Sequence, residues 1–164
     1  MYDQASDTFV NTPKSFGKSI TVADLPAGIA KFFPTKNDEG AGGVSPELLS
    51  PVIRGVAEEV KKIQAVLADL EMRMVGGSLL IVWEGDETAL KASLDHAAAE
   101  IDVDEGDSDD SEAKKAAIGP PLLVKLIDFA HTRLAPGEGP DQGVLLGIDT
   151  VLNLLEGRAK QVAA

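Results

Sequence analysis

The apolar positions fall into one long helical stripe and two short, dense runs. From Leu49 through Ile53, Val56, Val60, Ile63, Leu67 and Leu70 to Met74, the spacing alternates between four and three residues. That period marks one face of an amphipathic helix of about 25 residues, roughly 37 Å long. Pro51 suits its first turn with Ser50 as the cap, and Gly76-Gly77 ends it. Glu58, Glu59, Lys61 and Lys62 fall off the stripe as a solvated face. A heptad stripe also suits a coiled coil, but the apolar runs that follow favour a helix packed on a sheet.

Those runs are Ser78 to Trp83 and Leu122 to Ile127. Neither alternates clearly, which predicts strands covered on both faces by flanking helices. The second run is the centre of the reading, because it stops abruptly on Asp128, with Phe129, Ala130 and His131 behind it. A glycine- and proline-rich loop from Arg133 to Gly143 leads into a closing helix from about Gly143 to Gly157. Val144, Leu145, Ile148, Val151, Leu152 and Leu155 give that helix its apolar face, and residues 158–164 are expected to fray. At the other end, Met1-Tyr2 and Thr8-Phe9-Val10 flank a polar turn from Asp3 to Asp7, a hairpin or a pair of short strands. Thr21 or Asp24 then caps a short helix to about Phe33, closed by Pro34. Residues 35–45 read as a loop. The pattern describes an α/β (α+β) domain.

Composition adds limits. The chain has 164 residues, enough for one domain with a real core. It has no cysteine, which excludes disulfides and thiolate metal sites and fits a reducing intracellular compartment. No apolar run approaches the length of a membrane-spanning helix, and the N-terminus lacks the basic and apolar regions of a signal peptide. The net charge of −12 is concentrated: residues 100 to 112 hold eight acidic residues and no basic one, and the remainder has 19 acidic against 15 basic. Residues from about 87 to 117 therefore read as a low-complexity insertion, an Ala-rich helix over 87–99 and then an acidic disordered segment. Such a segment argues against a nucleic-acid footprint, which needs a basic face.

Several motifs fail on spacing. Gly17-Lys18-Ser19 lacks the glycine five residues before Gly17 that a phosphate loop requires, since Thr12 stands there. Gly40 to Gly43 follows no strand and has Ser45 in place of the third glycine of a dinucleotide fingerprint. A calcium loop with Gly106 in its glycine position would begin at Ile101, which offers no carboxylate. Only His96 and His131 are available as near-neutral bases, and His96 reads as an exposed helical residue. A carboxylate at the carboxyl end of a strand, by contrast, stands where α/β folds bind ligands. Asp128-Phe129-small is similar to the Asp-Phe-Gly of kinases, whose aspartate holds magnesium against ATP phosphates. His131, three residues on, is placed to offer a proton or partial charge to a phosphorylated ligand. The small and polar residues at Gly76-Gly77-Ser78 and Asp128 to His131 suggest a shared cleft.

Four stretches together resemble the inositol polyphosphate kinase family over most of the chain. Gly77-Ser78-Leu79-Leu80 is similar to the family's Ser-Ser-Leu-Leu. Leu126-Ile127-Asp128-Phe129-Ala130-His131-Thr132 resembles its Ile-Asp-Phe motif in the histidine-containing form of the multikinase and hexakisphosphate kinase branches. Gly139-Pro140-Asp141-Gln142-Gly143, running into Leu145-Leu146-Gly147-Ile148, resembles the Asp-x-Gly segment that opens the last helix. Phe16-Gly17-Lys18-Ser19-Ile20 resembles a Tyr-Gly-(Arg or Lys)-Ser-Leu stretch. Their order and the acidic insertion fit as well.

The resemblance implies an ATP-dependent kinase that phosphorylates inositol ring hydroxyls, most like a multikinase, nuclear and cytoplasmic. It implies that Asp128 holds Mg2+ bridging the ATP phosphates, that His131 and Lys18 meet the inositol polyphosphate, and that Ser78 supports the phosphate side of the cleft. Two departures stand out. Gly77 replaces the first serine, and the family's Pro-x-x-x-Asp-x-Lys-x-Gly motif and its nucleotide-binding lobe are not among these residues. Residues 1–164 are thus expected to be a partial kinase domain, the C-terminal lobe without its N-terminal lobe, and inactive alone. The alternatives are the hexakisphosphate kinase branch, or a non-catalytic interaction module that binds a protein through the helix at 50–74 or the acidic loop.

Overall fold

The computed structural model describes residues 2–3, 8–9, 11–38, 42–101 and 119–164. The expected turn through Ser6, the remainder of the 35–45 loop and the acidic segment from 102 to 118 lie outside the described residues.

Tyr2–Asp3 (β1) and Thr8–Phe9 (β2) pair antiparallel, as the opening pattern predicts. A short helix, Lys14–Ser19 (α1), follows. Thr21 then donates both its backbone N–H and its hydroxyl to the Asp24 carboxylate, at 2.8 and 2.7 Å. That box starts a 3₁₀ turn at Val22–Asp24, which runs into Leu25–Phe32 (α2).

The long helix, Pro46–Ala68 (α3), is displaced at both ends from the expectation. The chain offers two Ser-Pro pairs and the upstream one is used: Ser45 is the extended N-cap, so Pro51 lies inside the helix. At the far end the stripe's last members do not belong to it. Met72–Met74 (β3) is a strand in which Met72 and Met74 are buried and Arg73 is not. A buried period of two happens to continue the three-and-four spacing of Leu67, Leu70 and Met74. Leu49, Val52, Ile53, Val56 and Val60 are fully covered, while Val66 near the end of the helix is exposed.

Ser78–Trp83 (β4) and Leu122–Ile127 (β5) pair antiparallel in register from Ser78 opposite Ile127 to Trp83 opposite Leu122. They are not central strands of a parallel sheet. Leu79, Ile81, Trp83, Leu122, Val124 and Leu126 turn to the core, while Leu80, Val82, Leu123 and Lys125 are exposed. Helices cover only one face of the ribbon, although its sequence is apolar on both. Gly55 explains how closely β5 settles on α3: a Cβ there would lie 2.7 Å from Leu122 Cδ2. A mid-helix glycine costs about 1 kcal/mol against alanine, and here it admits that contact.

Glu87–Ile101 (α4) packs into the core through Leu90 and Ser93, which are buried. His96 on this helix is half-buried, not exposed. Its first turn is tied to α3 by Glu87, which pairs with Lys36 and accepts the Ser45 N–H at 2.8 Å. Thr132–Leu134 (β6) forms within the segment expected to be loop, and pairs antiparallel with β3.

The closing helix, Gln142–Ala163 (α5), packs along α3 and does not fray after Gly157. Arg158 and Val162 are buried. The Arg158 guanidinium donates to the Phe33 carbonyl from Nε (3.0 Å) and Nη2 (2.8 Å) and pairs with Asp38, which also accepts the Thr35 N–H at 2.6 Å. Burial pushes the Asp38 carboxyl up, but the Thr35 and Arg158 donors outweigh it and hold the group below the ordinary carboxylate value.

Candidate functional site

Antiparallel pairs β3–β6 and β4–β5 are two halves of one bent ribbon. In the first half the last bond runs from the Val75 N–H to the His131 carbonyl at 3.1 Å. The second half begins with Ser78 opposite Ile127. Between these rungs two residues, Gly76 and Gly77, face three, Asp128, Phe129 and Ala130. The mismatch is a bulge, a device that bends a strand and re-aims a side chain.

Asp128 carries the strain of that bulge. Its φ is 69°, the only positive φ of a non-glycine among the described residues, and Gly76 across from it has φ 75°. Asp adopts the left-handed region more readily than most residues because its short side chain can serve the local backbone. The Thr132 N–H donates to the Phe129 carbonyl at 3.1 Å and closes the turn. Asp128, Phe129, Ala130 and His131 are all exposed. The Asp128 carboxylate forms no hydrogen bond or ion pair with any described residue. A strained, exposed, unpaired carboxylate at a bulge is a structural position free to take a cation.

The rest of the neighbourhood is built to hold this turn still. Asp141, the N-cap of α5, accepts the Gly143 and Val144 N–H groups on Oδ1 at 3.0 and 3.2 Å, and the Met74 N–H on Oδ2 at 3.0 Å. The Met74 bond, opposed by burial and joined by the two helix N–H groups and the Arg73 charge, holds the Asp141 carboxyl below its ordinary value. Arg73 donates to the Gly139 and Glu138 carbonyls at 2.8 and 2.9 Å. Glu71 accepts the N–H groups of Gly137 and Gly139 at 2.8 and 3.2 Å, and both glycines sit at positive φ. The loop from β6 to α5 is therefore clamped on β3 by side chains of both charges.

Of the four expected site residues, three are brought together. Ser78 stands opposite Ile127, next to Asp128, and His131 lies at the far side of the same bulge. Lys18 is exposed on α1, and no described contact joins it to this wall; α1 meets its surroundings through Lys31 Nζ, 4.8 Å from the Phe16 ring centroid. A groove of about 930 Å³ opens beside Ser78, between the β3–β4 turn, Phe32 and the first turns of α5. Its walls are largely apolar (Val75, Leu80, Val144, Val151), and Asp128 and His131 do not line it. Asp128 and His131 instead stand on the open wall beside it.

Sequence reasoning missed the supporting residues: Glu71, Arg73, Asp141 as a tie to β3, and Arg158. Only Asp141 had a signal, a helix-capping residue type just ahead of the last apolar stripe. The others act on backbone groups of loops whose path a pattern does not reveal.

The family model described as inositol polyphosphate kinase matches residues 1–156. The inositol polyphosphate multikinase of Saccharomyces cerevisiae is 24% identical over 170 residues, covering 93% of this chain and 46% of the relative. The crystal structure of the inositol phosphate multikinase Ipk2 from S. cerevisiae, in complex with ADP and Mn2+, matches with a TM-score of 0.61 at 24% identity. That match covers 94% of this chain and 53% of the other, and shows the same fold. The chain spans about half the length of these relatives.

Proposed function

The chain belongs to the inositol polyphosphate kinase family, and from that premise we propose that the Asp128 wall serves phosphoryl transfer from Mg2+-ATP to a hydroxyl of an inositol phosphate. The observation that carries the reading is the exposed, unpaired Asp128 carboxylate at φ 69°, held at the bulge one residue beyond Ile127, which faces Ser78.

One free carboxylate fits Mg2+, which dehydrates reluctantly and is bound through one or two carboxylates together with substrate phosphates. Among the described residues no three acidic or histidine side chains gather into a dedicated cage, so Asp128 would hold the ion together with the nucleotide. Bound there, the ion neutralises charge on the transferring phosphoryl group. The chain's own residues position the partners. The bulge fixes Asp128 so that little order is lost on binding, and the Ser78 hydroxyl offers a donor to a phosphate oxygen. His131 offers a ring N–H to a phosphate of the inositol, as a charge-assisted bond when protonated. Lys18 enters on the resemblance alone.

In this reading the 164 residues are a partial kinase domain that does not turn over by itself, because the Pro-x-x-x-Asp-x-Lys-x-Gly motif and the nucleotide-binding lobe expected from the family resemblance are not among them. The test is phosphoryl transfer by the complete gene product, with and without Asp128→Asn. A loss of about three orders of magnitude or more in kcat, ~4 kcal/mol, is expected; an Asp128→Asn enzyme that retains full turnover overturns the reading. The products formed from different inositol phosphates separate the multikinase reading from the hexakisphosphate kinase one.

A further inference from the structure

On β3–β6 two arginines stand directly opposite each other, Arg73 and Arg133. Like charges in facing positions destabilise a strand pair, so the arrangement calls for a compensating role. Arg73 has one: its guanidinium is committed to the Met72, Glu138 and Gly139 carbonyls. The Arg133 side chain has no hydrogen bond among the described residues. Its one oppositely charged partner among the described residues is the Glu138 carboxylate at 3.8 Å, shared with Arg73 at 3.4 Å, and its side chain is 64% exposed. An exposed pair at that distance contributes next to nothing to stability. Arg133 thus adds repulsion to the ribbon and gives no bond in return.

Its place on the strand supplies a reason. Arg133 lies two residues after His131, so the two side chains leave the ribbon on one face, about 6.7 Å apart along the strand. That separation suits neighbouring phosphates on one small ring. We propose that Arg133 is a substrate-binding residue that takes the phosphate next to the one His131 takes, so that the site prefers vicinally phosphorylated rings. The guanidinium fork presents two parallel N–H donors to a phosphate, which a lysine or a neutral residue does not. Arg73 across the strand keeps the local potential positive once Arg133 turns from Glu138 to the ligand. The inference rests on the reading that the Asp128 wall receives inositol phosphates, and it adds a specificity-determining residue to that wall.

The test is a titration of the 164-residue chain with inositol hexakisphosphate and separately with inorganic phosphate, following the His131 ring and Arg133 side-chain resonances by NMR. Arg133→Gln should weaken hexakisphosphate binding about five- to tenfold, with a smaller effect on inorganic phosphate, and Arg133→Lys should recover only part of the loss. Unchanged hexakisphosphate affinity in Arg133→Gln, with the His131 resonances still responding, overturns the role of Arg133 alone. No response of His131 in the unsubstituted chain overturns it together with the substrate site. The amide spectrum of Arg133→Gln reports folding directly, and Arg133 contributes no bond whose loss would disturb it.

Discussion

The backbone N–H of Val75 donates to the carbonyl of His131 at 3.1 Å, and this bond holds the Gly76-Gly77 turn beside the Asp128 bulge. Two turns that are more than 50 residues apart in the chain become one wall. The position of Asp128 is thus a property of the backbone.

Backbone strain and charge at Asp128 are separable. Asp128→Gly relieves the left-handed φ and should leave stability equal or slightly higher. Asp128→Val should cost about 1–2 kcal/mol, because a β-branched residue resists φ 69°. Asp128→Asn should stay within about 0.5 kcal/mol, since Asn also tolerates that region. Urea denaturation of the three variants checks the order.

Asp141 joins the helix N-cap to the strand that carries the bulge. Asp141→Ala should cost about 1–2 kcal/mol, the upper end for a lost cap because the Met74 N–H loses its acceptor too. Its carboxyl is held below the ordinary aspartate value in the folded chain, as is that of Asp38. A depressed folded value gives stability that is complete above the unfolded pKa and lost as pH falls through the folded one. The chain should therefore lose stability below about pH 4, and Asp141→Asn should show a shallower acid slope in melts across that range.

Gly77 stands where the family resemblance expects the first of two serines, and the structure shows what a side chain would meet. A Cβ at Gly77 would overlap the sulfur of the buried Met74. Gly77→Ser should cost about 1–3 kcal/mol as overpacking. In a double-mutant cycle with Met74→Ala the two losses should fall short of additive, because each substitution relieves the other. Strict additivity would contradict the contact.

The end of α5 carries a buried guanidinium that holds the Phe33 carbonyl and the Asp38 carboxylate, 120 residues or more earlier in the chain. Arg158→Met should cost about 2–4 kcal/mol, because Asp38 and the Phe33 carbonyl lose their donor. Truncation after Gly157 should be worse, since Val162 is lost as well. Thr132→Val should do the reverse: Thr132 Oγ1 is buried without a hydrogen-bond partner among the described residues. Removing it should be neutral or stabilising by up to about 1 kcal/mol. Thermal melts of the set check both signs.

Elements governed by a single local period were legible. The stripe of α3, the runs of β4 and β5 and the closing face of α5 all follow from spacing. What failed was decided by neighbours. Met72 and Met74 continue a helical spacing, yet pairing with β6 makes them a strand. Ser50-Pro51 is as good a helix start as Ser45-Pro46 until Glu87 takes the Ser45 N–H. The unbroken apolar run of β5 predicts two covered faces, but helices reach only one. The tail after Gly157 looks polar enough to fray because Arg158 reads as solvent-facing unless its carbonyl and carboxylate partners are known. At the site, Ser78, Asp128 and His131 came from motif and position. Arg133, Arg73 and Glu71 carried no signal, because their meaning lies in which residue faces which across β3–β6.

The central claim is that Asp128 is the cation-holding group of a nucleotide site. The most direct measurement adds Mn2+ with ADP to the complete gene product and maps paramagnetic broadening of the backbone amides. The account predicts broadening centred on residues 128–131 and on Ser78, abolished in Asp128→Asn. Broadening centred elsewhere, or unchanged in Asp128→Asn, would contradict it.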